Sequence, residues 1–96
     1  MSTDLSDGAQ PFVAVRFLVD ADCYPGLLPR LLQPYAKRDL IPDRMWSHRS
    51  GDVMHVEIAM EAMPVEVVHL VEGNLRQVVG VQAVTQVRPV RLRQVA

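Results

Sequence analysis

The residues of this chain able to do chemistry are few: three histidines, one cysteine, and eleven carboxylates set against ten lysines and arginines. His48 and His55 fall in "RMWSHRSGDVMHVEIAME" with Glu57 close behind, and two imidazoles with a carboxylate are a set that zinc accepts. Nothing in their spacing dictates a ligand geometry, so sheet-face side chains and no metal are expected. His69 falls on the polar side of a later helical segment. Cys23 has no neighbouring base in the sequence, and Ser47 and Ser50 lie in or beside a turn, so no activated nucleophile is assembled. Glu57 and Glu61 share one face of a strand, but Glu61 sits near its end and reads as solvated, not as half of an acid–base pair. No catalytic residue and no cofactor is expected.

Composition narrows the partners. A net charge of -1 over 96 residues provides no general attraction for nucleic acid or an anionic membrane, so neither is expected as a partner. Hydrophobic residues make up 49%, ample for one core and leaving no room for a second domain. A lone cysteine cannot form an intrachain disulfide and suits a reducing cytoplasm, the expected location. No basic, apolar leader opens the chain, and no apolar run is long enough to cross a bilayer.

The elements that must position these residues follow from periodicity. Residues 1–10 are small and polar and are expected to be disordered, the domain to occupy 11–88, and 89–96 to be a frayed basic tail. "FVAVRFLVD" reads as a central strand with Val13, Val15, Phe17 and Val19 on one face and Ala14, Arg16 and Leu18 on the other. From Leu27 the apolar positions Leu28, Leu31, Leu32 and Tyr35 recur at helical spacing, with Lys37 and Arg38 closing the helix. Pro29 belongs to its first turn, but Pro34 is interior and predicts a bent or shortened helix.

Next comes a hairpin about Ser50-Gly51, whose two-residue loop would pair Trp46 with His55, Arg44 with Glu57, Met45 with Val56, and Ser47 with Met54. Pro64 suits the first turn of a second helix with Val67, Val68, Val71 and Leu75 as its apolar stripe, weakened by Gly73. "VVGVQAVTQVRPV" predicts a last strand with Val81, Ala83, Thr85 and Val87 on one face. The order strand, helix, strand, strand, helix, strand is that of a ferredoxin-like βαββαβ sandwich in the α+β class, a four-stranded antiparallel sheet with two helices on one face. Its other face would carry Arg16, Leu18, Trp46, His48, His55 and Glu57, a mixture that suggests association.

Fold alone does not assign function, so each use of this scaffold is tested at its site. An RNA-recognition module needs exposed aromatics on both central strands, and the third strand has none. A soft-metal carrier needs paired thiolates. A small phosphatase needs an arginine in the loop after strand one, where this chain has Asp22. Arg88, Arg91 and Arg93 read as a solvated end.

The segment "DCYPGLLPRLLQPYAKRDLIP" resembles the signature of ACT domains, small ligand-sensing modules. Asp22, Pro25, Gly26, Leu27, Leu28, Leu31, Tyr35, Arg38 and Ile41 stand at the matching positions. "NLRQVVGVQAV" is similar to the family's passage from second helix to last strand. Within the family, "MHVEIAMEAMPVEVVHLVEGNLRQVVGV" is most like the small regulatory subunits of acetolactate synthase. Pro29, Pro34 and the Asp39-Leu40 helix exit depart from the family pattern.

The resemblance implies a non-catalytic regulatory domain, a homodimer that binds a small amino acid and modulates a catalytic partner subunit. Its ligand-binding residues would be Asp22, Cys23, Tyr24, Pro25, Gly26, Leu27, Leu28 and Ile41. Physically, a glycine at a helix start lets a carboxylate approach backbone N–H groups, and Asp22 could accept from an ammonium group. The same residues also serve an ordinary turn, with Asp22 capping, Pro25 restricting a dihedral and Gly26 permitting it. A protein-interaction subunit without a small-molecule ligand is the alternative.

Overall fold

The structure, a computed structural model, describes residues 11–89; the expected disordered segment 1–10 and all but the first residue of the expected tail lie outside them. Alternation produces β1 (Phe12–Asp22): Val15, Phe17, Val19 and Ala21 are buried while Phe12, Leu18 and Asp22 are exposed. The chain continues through α1 (Leu27–Ala36), β2 (Arg44–Ser50), β3 (Val53–Pro64), a 3₁₀ turn (Val65–Val67), α2 (Val68–Arg76) and β4 (Val81–Val87). The four strands form one antiparallel sheet in the order β2-β3-β1-β4. This is the ferredoxin-like βαββαβ arrangement, with β1 central as expected.

Both helices cover one face. Leu27, Leu31 and Tyr35 of α1 and Val68, Val71 and Leu75 of α2 join Phe17, Val19 and Ile58 of the sheet in a single core. Each such side chain taken out of water contributes roughly 1.5–3 kcal/mol, so the pairing of sheet face and helix stripes decides the architecture. The Tyr35 hydroxyl is carried into that core without a hydrogen-bond partner, and burial pushes its pKa well above the usual value.

Three details differ from the expectations. The hairpin loop is Gly51-Asp52, one residue later, because Ser50 still pairs with Val53 and Gly51 takes a φ of 62° suited to a primed turn. Each β2 residue therefore meets a partner two residues further along β3: Trp46 opposes Glu57, His48 opposes His55, and Arg44 opposes Ala59. Pro64 ends β3 and does not open a helix; a 3₁₀ turn separates it from α2.

On β4 Val84 pairs with buried Val19 and enters the core while Ala83 and Thr85 are exposed, and a register shift between Asp20 and Ala21 takes Val81, paired with buried Ala21, off the face of Ala83 and Thr85. As expected, α1 ends close to Arg38, with Ala36 its last helical residue and Lys37 its C-cap. Its exit is a Schellman pattern in which Leu40 N–H donates to Tyr35 O at 2.9 Å and Asp39 N–H to Ala36 O at 3.1 Å. Asp39 occupies the left-handed position there, with a φ of 57°. Pro34 stays inside the helix, buried, two residues before its end.

Candidate ligand-binding loop

The loop from Cys23 to Gly26 is held from two sides. At its root the Asp22 N–H donates to Gly80 O at 2.8 Å, in the α2–β4 connection, and the Cys23 N–H donates to Asp52 O at 2.9 Å, in the β2–β3 turn. Above the root, the Tyr24 hydroxyl donates to Val79 O at 2.5 Å. The Arg30 guanidinium lies 5.7 Å from the Tyr24 ring centroid, a cation–π distance. Gly80 has a φ of 88°, and a Cβ on it would stand 3.0 Å from the Tyr24 ring.

Gly26 precedes α1 with φ -90° and ψ 4°, values open to most residues. A Cβ there would collide with the Arg30 guanidinium, the flexible end of a side chain, and with nothing of the backbone. The approach to Gly26 that the sequence suggested for a carboxylate is thus occupied by a cation. Backbone donors are scarce at this helix start, since Leu27 N–H already donates to Tyr24 O at 3.1 Å and Pro29 has none.

Beside the loop lies a cavity of about 380 Å³ lined by Cys23, Tyr24, Pro25, Leu28, Arg49 and Met54. That volume falls within the range of roughly 300–1,000 Å³ common to small-molecule sites. The structure therefore brings four of the anticipated residues together: Cys23, Tyr24, Pro25 and Leu28. It does not bring the others to that wall. Asp22 accepts from Gln82 Nε2 at 2.7 Å on the β4 side of the loop. Leu27 is fully buried in the core. Ile41 is 83% exposed beyond the far end of α1, a helix about 15 Å long.

Arg49 and Met54 were not anticipated. Arg49 is one of several polar residues on an exposed strand, and only the hairpin register carries it beside the loop; its Nε donates to Gly51 O of the β2–β3 turn at 3.1 Å. No local pattern marks either residue.

The open sheet face is a second feature. His48 stacks on Trp46 at 5.8 Å and on His55 at 6.3 Å, and His55 Nδ1 lies 2.6 Å from Asp20 Oδ1. Glu57 accepts ion pairs from Arg16 at 3.3 Å and Arg44 at 3.8 Å. Glu57 and Asp20 are thus engaged by side chains of the sheet itself. Among the described residues, no group of three His, Cys, Asp or Glu side chains could hold a metal ion.

The model of the ACT-like domain family matches residues 8–93. The chain belongs to that family. A search of curated proteins returned no match. ACT-like domains are in general regulatory, ligand-binding and non-catalytic. No helix among the described residues is long and apolar enough to cross a membrane.

Proposed function

We propose that this ACT-like domain is a non-catalytic regulatory module that binds a small apolar amino acid in the cavity beside the Cys23–Gly26 loop. The observation that carries the reading is the cavity's chemistry. Leu28, Pro25 and Met54 offer apolar walls, and Arg49 offers one cation able to hold a carboxylate by charge-assisted hydrogen bonds. The ammonium group is left to loop carbonyls and to a second subunit, so the functional unit is a homodimer in the cytoplasm. Ligand binding there modulates a partner enzyme of amino-acid metabolism. Acetolactate synthase is the partner suggested by the resemblance of residues 54–81 to its small subunits.

A thermal-shift screen against the common amino acids tests the reading. A specific ligand at about 100 times its Kd stabilises the folded state by roughly 2.7 kcal/mol. Arg49→Leu should abolish that shift while leaving the ligand-free midpoint in place. No shift with any amino acid at millimolar concentration would sink the sensor reading.

One observation favours a second reading, an interaction subunit without a ligand: Trp46 is 54% and Leu18 37% exposed on the open sheet face. Co-purification of a partner by wild-type protein but not by Trp46→Ser, with no amino-acid shift, would decide for it.

A further inference from the structure

We propose that the open face of the sheet packs against the same face of a second copy of this chain, with the strands of the two sheets antiparallel about a two-fold axis. Strand pairing sets Trp46, Glu57 and Leu18 in one row across this face and His48, His55 and Asp20 in the next. Arg44 and Arg16 lie beyond the first row, and Asp22 lies beyond the second. Trp46 and Leu18, both exposed, thus share a central row and give the face an aromatic anchor of the kind that interface centres favour.

The two ends of the face carry opposite charge. Arg16 and Arg44 share a single carboxylate, that of Glu57, so one cation is left over at their end. At the other end Asp22 forms no salt bridge among the described residues and accepts from the neutral Gln82 amide, while Asp20 has His55 as its partner. Such a face repels a copy laid on it in the same direction and attracts one laid in reverse. An axis running between the two central rows lays it in reverse. Arg16 then stands over the second copy's Asp22, Glu57 over its His55 and Trp46 over its His48, and each pairing occurs twice. An axis along the strands would instead lay Glu57 on the second copy's Leu18 and Arg16 on its Ala59, two charged groups desolvated against apolar side chains. Aligned sheets cross at about 30°, an offset that the long Arg16 side chain can span.

Four strands at about 4.8 Å and seven residues of β2 at about 3.4 Å give the face a plane of roughly 450 Å². Covering it on both copies removes on the order of 1,000 Å² of surface, the lower end of specific interfaces, so the association is reversible and concentration-dependent. The contact is independent of the amino-acid reading, because Arg49 and Met54, which line the cavity, alternate to the opposite side of the sheet from His48 and His55.

Sedimentation velocity of the full chain over a range of concentrations, without amino acids, is the test. The wild type is expected to associate reversibly, and Trp46→Glu to raise the Kd of that step about tenfold or more. In chains already paired at another surface, the same step reads as dimer to tetramer. Arg16→Glu and Asp22→Lys should each weaken it, since each sets like charges opposite one another twice. An equimolar mixture of these two variants should associate more tightly than either alone, because opposite charges then meet in both places. Circular dichroism reports whether each variant has kept its fold, and Trp46→Glu, at an exposed position, carries the test should a charge variant unfold. A wild type that stays monomeric at millimolar concentration, an association that Trp46→Glu leaves unchanged, a mixture no tighter than its components, or a different protein that occupies the face in place of the second copy would overturn the proposal.

Discussion

Gly26 and Gly80 belong to two loops that meet at Tyr24, and they do opposite things there. Gly26 stands where pattern reading places it, at a helix start after a proline, yet its dihedrals suit most residues and only a mobile guanidinium crowds it. Gly80 is one small residue in "VVGVQ", yet it alone of the two is in the left-handed region, with the Tyr24 ring and the Asp22 side chain against it. A glycine is demanded by its φ and by what packs on its Cα, neither of which is visible in a motif. The contact that shapes the candidate loop thus comes from the α2–β4 connection, more than fifty residues later in the chain.

Substitutions can break this contrast. Gly80→Ala should have the largest effect, a loss of about 2 kcal/mol from left-handed strain and displacement of Tyr24, read as a fall in Tm on the order of 10 °C. Gly73→Ala is the control for glycine removal without either demand. It sits inside α2 with nothing within 4 Å of its added Cβ, so a gain of about 0.5–1 kcal/mol is expected in chemical denaturation.

Glu72 tests how firmly the Gly80 connection is held by what surrounds it. Arg76 Nη2 donates to Glu72 Oε2 and to Val84 O, and Gln86 Nε2 donates to Glu72 Oε1, each at 2.8 Å, which ties α2 to β4. The Arg76 hydrogen bond, ahead of the one from Gln86, holds the Glu72 carboxyl below its ordinary pKa. Because the folded-state value is the lower one, the stabilisation is complete above the ordinary glutamate range and is lost as pH falls through the depressed value. Glu72→Gln should cost about 0.5 kcal/mol at neutral pH and flatten the acid limb of a stability-versus-pH curve. Gly26→Ala should have the smallest effect, within about 0.5 kcal/mol, since its loss of Arg30 stacking is offset by a stiffer unfolded chain. Equal destabilisation by Gly26→Ala and Gly80→Ala would erase the contrast.

Much of the candidate site was legible because it is local. Cys23, Tyr24, Pro25 and Leu28 are near neighbours in the chain, and a turn followed by a helix brings them to one place whatever the rest of the fold does. Leu27 and Ile41 were near enough in sequence to be included, but helical rotation turns Leu27 into the core and ten residues of helix carry the chain away before Ile41. Arg49 and Met54 could not be read at all, since they reach the cavity only through the pairing of β2 with β3 and of β3 with β1.

From the sequence alone came the order of the elements, the core face of β1, the stripe of α2 and, of the α1 stripe, Leu31 and Tyr35, because the periods of two and of nearly four residues are properties of the local backbone, whereas Leu27 and Pro34 take the core positions expected of Leu28 and Leu32. The same alternation is blind to a shift of two residues, which leaves every side chain on its face, and so it placed Trp46 opposite His55 where the structure pairs it with Glu57. It is equally blind to the irregularity that takes Val81 off the face of Ala83 and Thr85. Which residue faces which across the sheet, which glycine is indispensable and which arginine reaches the cavity were decided by tertiary structure, since each depends on strands and loops that meet only after the chain has folded.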